Sequence, residues 1–248
     1  MRKVGIYRQT LKQLKDWEPF LLKESGLLGP RGNIELAQAV AEEGDEVLFE
    51  RFLSFGHDKA PTNSPEEFLV FCGVLGQGKL LSHGKIGVLK KLLLFAGDPR
   101  WRTREAVAMA LQKFGDTDMD ALLGEMEKWS KGDFWVQRAA VAALCEPRLL
   151  TQQKQAEMVL DILNRITALL EDIEDRNNEG FRVLRRALGY CWSVAVVALP
   201  EKGKKMMERW LTNDDRDVRW IMRENLKKNR LARMDAKWVE YWQDKIFG

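Results

Sequence analysis

The stretch Asp133-Phe134-Trp135-Val136-Gln137-Arg138-Ala139-Ala140-Val141-Ala142-Ala143-Leu144-Cys145 sets the fold class. Asp133 stands where its carboxylate can accept bonds from the otherwise unpaired amides of a first helical turn. Counted from Arg138, Ala140, Val141, Leu144 and Cys145 fall at +2, +3, +6 and +7, which is the spacing of an amphipathic helix with one apolar stripe. Trp135 precedes the arginine by three residues.

Alignment on that arginine brings in Arg104, Arg185 and Arg223, so that the four are spaced by 34, 47 and 38 residues, within or near the period of helical-hairpin solenoids. Trp101 and Trp220 repeat the Trp-x-x-Arg step, and Arg182 takes the tryptophan's place before Arg185. The stripe recurs as Ala106, Val107, Ala110 and Leu111, and again as Ala187, Leu188, Cys191 and Trp192. After Arg223 the same offsets hold Asn225, Leu226, Asn229 and Arg230, a largely lost stripe of the kind expected in a repeat that covers the end of a stack. Asp98 and Asp215 are placed to cap as Asp133 does.

Outward from these repeats, apolar residues keep returning at i, i+3, i+4 and i+7, and alternating runs between hairpin turns are nearly absent. Segments 118–129, 155–175 and 202–211 each carry an apolar face and read as partner helices for the repeat helices. Upstream, 34–40, 47–55, 68–75 and 86–95 read as further hairpin helices, and Ser64-Pro65-Glu66-Glu67 is a helix start with a capping box. Stops are expected at Gly44, Gly56, Gly78, Gly84, Gly97, Gly115, Gly132 and Pro200. The expected fold is all-α, an α-α superhelix of HEAT-like repeats forming one domain. Residues 1–30 would be an N-terminal helical cap, 31–97 divergent hairpins, 98–230 the Trp-x-x-Arg repeats and 231–248 a C-terminal capping helix.

Composition narrows the function. The chain of 248 residues is 45% apolar, yet its longest apolar runs, such as Val194 to Leu199, fall far below the roughly 18 residues of a membrane span. No secretory leader opens it, so a cytoplasmic address and a monomer are expected. Cys72, Cys145 and Cys191 stand far apart inside helical patterns, as reduced core thiols rather than a disulfide framework. His57 and His83 lie in Gly-rich connections with no second ligand at i+3 or i+4, so neither a metal, a cofactor nor a Ser-His-Asp triad is expected. Charge is uneven: residues 178–248 hold 16 Lys and Arg against 10 Asp and Glu, while the rest of the chain is net acidic. Such an excess either attracts phosphates or is a solvated face.

Helical phase gives the Trp-x-x-Arg step a location. At about 100° per residue, with the arginine at zero, the apolar stripe centres at about 270° and the tryptophan at about 60°. Both large side chains are therefore expected to point away from the hairpin core. The +4 position on that side holds Ala108, Ala142 and Gly189, leaving shallow space. Two uses of the face stand open: packing between repeats, or a concave binding surface where arginine meets phosphates and indole meets sugars or bases.

At these residues the chain resembles the HEAT-like-repeat alkylpurine DNA glycosylases, bacterial repair enzymes built as α-solenoids. Trp135-Val136-Gln137-Arg138-Ala139-Ala140 is similar to that family's Trp-Leu-Gln-Arg-Ala-Ala. Leu184-Arg185-Arg186-Ala187-Leu188-Gly189-Tyr190 is similar to its Ile-Gln-Lys-Ala-Ile-Gly-Trp, and Trp101 with Glu105 falls where the family has Trp and, four residues on, Asp. The similarity spans roughly residues 98–230 and its motifs are short. It implies that Trp101, Glu105, Arg138 and Tyr190 line a concave groove and hold the backbone around a lesion, the carboxylate stabilising the cationic sugar of base excision. Two of the four depart from the family: glutamate replaces aspartate and tyrosine replaces tryptophan. Excision of a cationic alkylpurine needs mainly electrostatic stabilisation of the developing charge, because the leaving group is already activated. Glu105 has a second role open to it, as a first-turn residue favouring the helix dipole and pairing with Arg102 or Arg138.

The expected phosphate contacts are Arg104, Arg182, Arg185, Arg186, Lys227, Lys228 and Arg230, with duplex DNA as partner and a non-catalytic protein-binding scaffold as the alternative. Gly73-Val74-Leu75-Gly76-Gln77-Gly78-Lys79-Leu80 nearly spells a phosphate-binding loop, but Leu80 replaces the magnesium-holding hydroxyl and a helical pattern precedes it. No nucleotide site is expected there. Met206, Met207, Trp238, Tyr241 and Trp242 are read as core or end-cap residues.

Overall fold

The computed structural model describes residues 2–247, and among these every regular element is helical. The chain divides into two compact units, the first running to Asp118 and the second from Met119.

The first unit contains α1 (Arg2–Gln13), α2 (Glu18–Glu24), α3 (Ile34–Glu43), α4 (Glu46–Leu53), α5 (Pro65–Ser82), α6 (Leu89–Phe95) and α7 (Trp101–Thr117). Helix starts follow local chemistry. The side chains of Asn33, Asp45 and Ser64 each accept a first-turn amide, from Leu36, Leu48 and Glu67. Glu67 closes the start of α5 from the other direction, its Oε2 accepting the Asn63 amide at 2.7 Å, one residue outside the expected capping box. Asp98 departs from expectation. The residue just before α7 is Arg100, with no side-chain cap, and Asp98 instead accepts the Arg100 amide and pairs with its guanidinium at 2.6 Å. Lying three residues ahead of the helix, with Pro99 between, Asp98 is placed for an Asx turn rather than a cap.

Helices α3, α5 and α7 lie side by side and run in one direction. Arg102, at the start of α7, reaches Glu67 at the start of α5 at 3.3 Å, and Gly78 near the end of α5 faces the backbone of Ala110 on α7. Lys79 Nζ likewise donates to the carbonyls of Glu42 and Gly44 at the end of α3, at 2.7 and 2.8 Å. Helix α5 runs through the expected stop at Gly78 because the glycine there serves proximity: a Cβ would lie 2.7 Å from the Ala110 Cα. The near-P-loop sequence is thus helix interior, with its lysine spent on carbonyls. Helix α7 likewise passes Gly115, which is buried.

The second unit contains α8 (Met119–Trp129), α9 (Phe134–Leu144), α10 (Gln153–Leu169), α11 (Glu179–Ala198), α12 (Pro200–Leu211), α13 (Arg216–Leu226), α14 (Asn229–Met234) and α15 (Ala236–Phe247). Asp133, Asn178 and Asp215 cap α9, α11 and α13 by accepting first-turn amides. Helix α10 stops at Leu169, short of the expected 175. Two layers form. In one, α8, α10 and α12 run in a common direction, linked by Gln155 to Asp120 at 3.1 Å and by Trp210 Nε1 to Asn164 at 3.0 Å. In the other, α9, α11 and α13 do so, linked by Cys191 Sγ to the Val141 carbonyl at 3.4 Å and by the Ser193 amide to Asn225 Oδ1 at 2.8 Å.

The apolar stripes are buried in both units. Ala106, Val107, Ala110 and Leu111 are fully buried in the first unit, and Ala140, Val141, Leu144, Leu188, Cys191 and Trp192 in the second. Ala187 remains partly exposed. The fourth copy keeps half its stripe: Asn225 and Leu226 are buried, and Asn225 Nδ2 donates to the Leu188 and Ile221 carbonyls at 2.8 Å. A buried amide thus replaces an apolar residue because it bridges two helices with its bonds satisfied. No helix among the described residues is long and apolar enough to cross a membrane. All three cysteines are buried thiols, and burial pushes those of Cys72 and Cys145 well up.

Candidate functional site

The Trp-x-x-Arg copies do not share one environment. Trp101 is 44% exposed, whereas Trp135 and Trp220 are partly buried. Arg104 and Arg138 are buried, contrary to the outward placement expected from helical phase. Helical phase marks the side facing the partner helix of a hairpin, but in a layer of side-by-side helices the flanks are covered as well. Arg104 Nη1 donates to the carbonyls of Asp98 and Pro99, holding the turn that enters α7. The space expected at Gly189 is filled: a Cβ there would lie 3.1 Å from the ring of Trp220. Trp135 sits equally close to Gly180 at the start of α11, so both tryptophans join neighbouring helices of one layer.

The first halves of α11 and α13 enclose a cleft of about 630 Å³. Seven arginines line it against two aspartates, with Phe181 and Trp220 as its apolar walls. Arg176, on its lining, is held 2.7 Å from both Asp215 and Asp217, and these hydrogen bonds, Asp215's first, raise its pKa further. Arg185 Nε lies 2.8 Å from Asp217, and its guanidinium stacks 3.9 Å over Trp220. Burial lowers its pKa, though not enough to discharge a guanidinium. Arg182 is exposed and bonded to Asn177. Arg186 and Arg219 are exposed and have no acidic partner among the described residues. Seven cations so gathered create a positive potential that two lining carboxylates do not cancel.

Of the expected phosphate contacts, Arg182, Arg185 and Arg186 line this cleft together. Lys227, Lys228 and Arg230 line a second basic cleft of about 440 Å³, with Asn229 and Arg233. Arg104, buried on the entering turn, lines neither. Sequence reading passed over Arg216 and Arg219; the run Asp214-Asp215-Arg216-Asp217-Val218-Arg219-Trp220 carried the signal, alternating charges ahead of an indole.

In the first unit, Trp101 and Glu105 share the wall of a different cavity, about 240 Å³ and mostly apolar, with Leu27, Ile34, Phe68, Phe71 and Met109. Arg102, also on its wall, stacks 4.4 Å over Trp101 and is fixed by bonds to Asn63, Glu67 and the Gly29 carbonyl. The other two residues of the implied excision set belong to the second unit. Arg138 is buried on α9, and Tyr190 on α11 lies under Arg230, whose guanidinium is 4.5 Å over its ring and donates to its hydroxyl at 2.8 Å. Neither lines the arginine cleft. No known protein family, no curated protein and no solved structure matches the chain.

Proposed function

We propose that the protein is a HEAT-like helical-repeat protein, an α-superhelix of stacked hairpins, that binds duplex DNA through its phosphate backbone. The arginine cleft of α11 and α13 carries the reading: seven guanidiniums line it against two carboxylates, with Arg186 and Arg219 exposed and unpaired by acids among the described residues. Guanidinium forks match phosphate oxygens bidentately, and the Trp220 edge adds an aromatic wall beside a sugar. Lys227, Lys228 and Arg230 line a second basic cleft at the junction of α13 and α14. Fluorescence anisotropy of a labelled duplex, titrated across salt concentrations, tests this. Log affinity is expected to fall linearly with log salt, by about 0.9 per phosphate contact. Absence of duplex binding at low salt overturns the reading and leaves the non-catalytic protein scaffold in its place.

Excision of alkylated purines is the catalytic extension of this reading. It is favoured by Glu105 and Trp101 standing on one largely apolar wall, where a carboxylate stabilises a developing positive charge more strongly than in water. Arg138 and Tyr190 are assigned to the same task by the resemblance. Release of 7-methylguanine or 3-methyladenine from alkylated duplex, lost in Glu105→Gln, is the expected result. No release by the folded wild-type protein discards the extension without touching the binding proposal.

A further inference from the structure

The arginines of the α11–α13 cleft differ in what already binds them. Arg176 is held by Asp215 and Asp217, Arg185 by Asp217 and the face of Trp220, and Arg223 donates to the Ile246 carbonyl. The other lining arginines still have donors to offer. Arg182 gives one Nη to Asn177, a neutral partner, and Arg216 lies 3.4 Å from Asp217 with its side chain 77% exposed. Arg186 and Arg219 are exposed and have no acidic partner among the described residues.

These donors come from two sides. Arg182 and Arg186 stand about one turn apart on α11, roughly 6 Å along its axis, and Arg216 and Arg219 stand roughly 4.5 Å apart along α13. A group entering the cleft therefore meets guanidinium N–H donors from both helices. An internal phosphate of an unbroken strand carries a single negative charge on two terminal oxygens, and chain continues from it in both directions. A terminal phosphate, a monoester, has three terminal oxygens, about 1.5 to 2 negative charges at neutral pH, and chain on one side only, so it can enter between two helices and accept from both. Charge agrees with this. Seven guanidiniums meet the carboxylates of Asp214 and Asp217 on the lining and of Asp215 bound to Arg176, an excess that a singly charged diester leaves largely uncompensated. At about 630 Å³ the cleft falls within the roughly 300–1,000 Å³ of sites that enclose a small ligand, and the space beyond one phosphate admits the sugar that carries it.

We propose that the α11–α13 cleft receives the terminal phosphate monoester of a nucleic-acid strand in preference to the diesters of an unbroken backbone. The assignment rests on the duplex-binding reading and adds to it which part of a duplex this cleft takes. Arg186 and Arg219 fork onto the phosphate oxygens from the two helices, while Arg176 and Arg185, already fixed by their own partners, hold positive charge there without losing further freedom. The second basic cleft differs: its lysines are point charges on flexible stems, and Lys227 is paired with Glu224, which suits looser contact with backbone diesters.

Hairpin duplexes of one sequence, labelled in the loop, test this by fluorescence anisotropy with the full chain: one with hydroxyls at both strand termini, one with a 5′-phosphate and one with a 3′-phosphate. At least one phosphorylated hairpin is expected to bind about tenfold or more tighter than the hydroxyl form at neutral pH, as charge-assisted bonds are added. The ratio should narrow below about pH 6, where the monoester takes up its second proton, while the hydroxyl hairpin carries the same backbone and reports any change in the protein itself. Arg186→Ala and Arg219→Ala should each reduce the ratio to about twofold or less with the melting temperature retained, and Arg186→Lys, which keeps the charge but not the fork, should fall between. Lys228→Ala, in the second cleft, should weaken every hairpin alike. Thymidine 5′-monophosphate separates strand ends from free nucleotides. Displacement of the phosphorylated hairpin only at concentrations about a hundredfold or more above that hairpin's Kd supports the strand end, because the duplex adds backbone contacts, and displacement near the Kd itself overturns it. No preference for either phosphorylated hairpin, or a preference undiminished in both folded alanine variants, overturns the end assignment and leaves duplex binding in place. Failure of every hairpin to bind at low salt overturns the duplex reading and this assignment with it.

Discussion

Arg185 lies 3.9 Å over the indole of Trp220, and the six-membered-ring edge of that indole closes on Gly189. One tryptophan on α13 therefore fastens α11 by stacking under a cation and by filling the place of a missing side chain. The same arginine is held by Asp217, so packing and electrostatics at the mouth of the basic cleft are a single unit.

Trp220→Ala is expected to lower stability by about 2–4 kcal/mol, as loss of a large aromatic contact with incomplete collapse does. Urea denaturation followed by circular dichroism measures it. Duplex affinity should fall in the same variant, because Arg185 loses the surface that orients it.

Arg186→Ala and Arg219→Ala should leave stability within about 0.5 kcal/mol of wild type, since neither side chain is buried or ion-paired to an acid among the described residues. If the cleft holds phosphates, each change reduces the slope of log affinity against log salt by about 1. A stability loss with an unchanged slope would assign these arginines to the fold instead.

Asp215 supplies a pH dependence. Burial pushes its carboxyl up, but the Arg176 guanidinium and the amides of Val218 and Asp217 together outweigh this and hold it below the ordinary 3.8. A folded-state pKa below the unfolded one contributes stability that is present above the unfolded value and is lost as pH falls through the folded one. Stability should accordingly decline on acidification below about pH 4, and Asp215→Asn, which keeps the cap but removes the charge, should show a shallower decline between pH 5 and pH 3 in urea titrations.

Gly78→Ala tests the closest helix approach. Alanine favours an isolated helix over glycine by about 1 kcal/mol, but here its Cβ would fall 2.7 Å from the Cα and carbonyl oxygen of Ala110, atoms that cannot rotate away. Net destabilisation of about 1–3 kcal/mol is expected, read as a lower melting temperature.

Ser64→Ala should cost about 1 kcal/mol, the amide of Glu67 losing its acceptor. Thermal unfolding checks it, and because the site lies at the start of α5, Glu67→Gln in the same background separates the cap from the Arg102 pair.

Much of the local structure was legible in the chain. Asp133, Asp215 and Ser64 act as caps because a short polar side chain competes for amides only a few bonds away, and the apolar stripes around Ala106, Ala140 and Leu188 are buried as their spacing implies. Gly78 was misread as a stop because sequence cannot tell a glycine that ends a helix from one that admits a neighbour. The orientation of Arg104 and Arg138 was misread for a related reason: helical phase gives a direction around one axis, and whether that direction meets solvent depends on the next helix.

By itself, then, the sequence determined that the chain is helical, where most helices begin and which face of each turns inward, because these depend on bonds and contacts within a few residues. Tertiary structure alone decided that Trp220 closes over Gly189, that Arg182, Arg185 and Arg186 meet Arg216 and Arg219 in one cleft, and that Arg102 is bound to Asn63, Glu67 and the Gly29 carbonyl. Those relations join residues tens of positions apart, and only the packing of side-by-side helices sets their distance and their access to water.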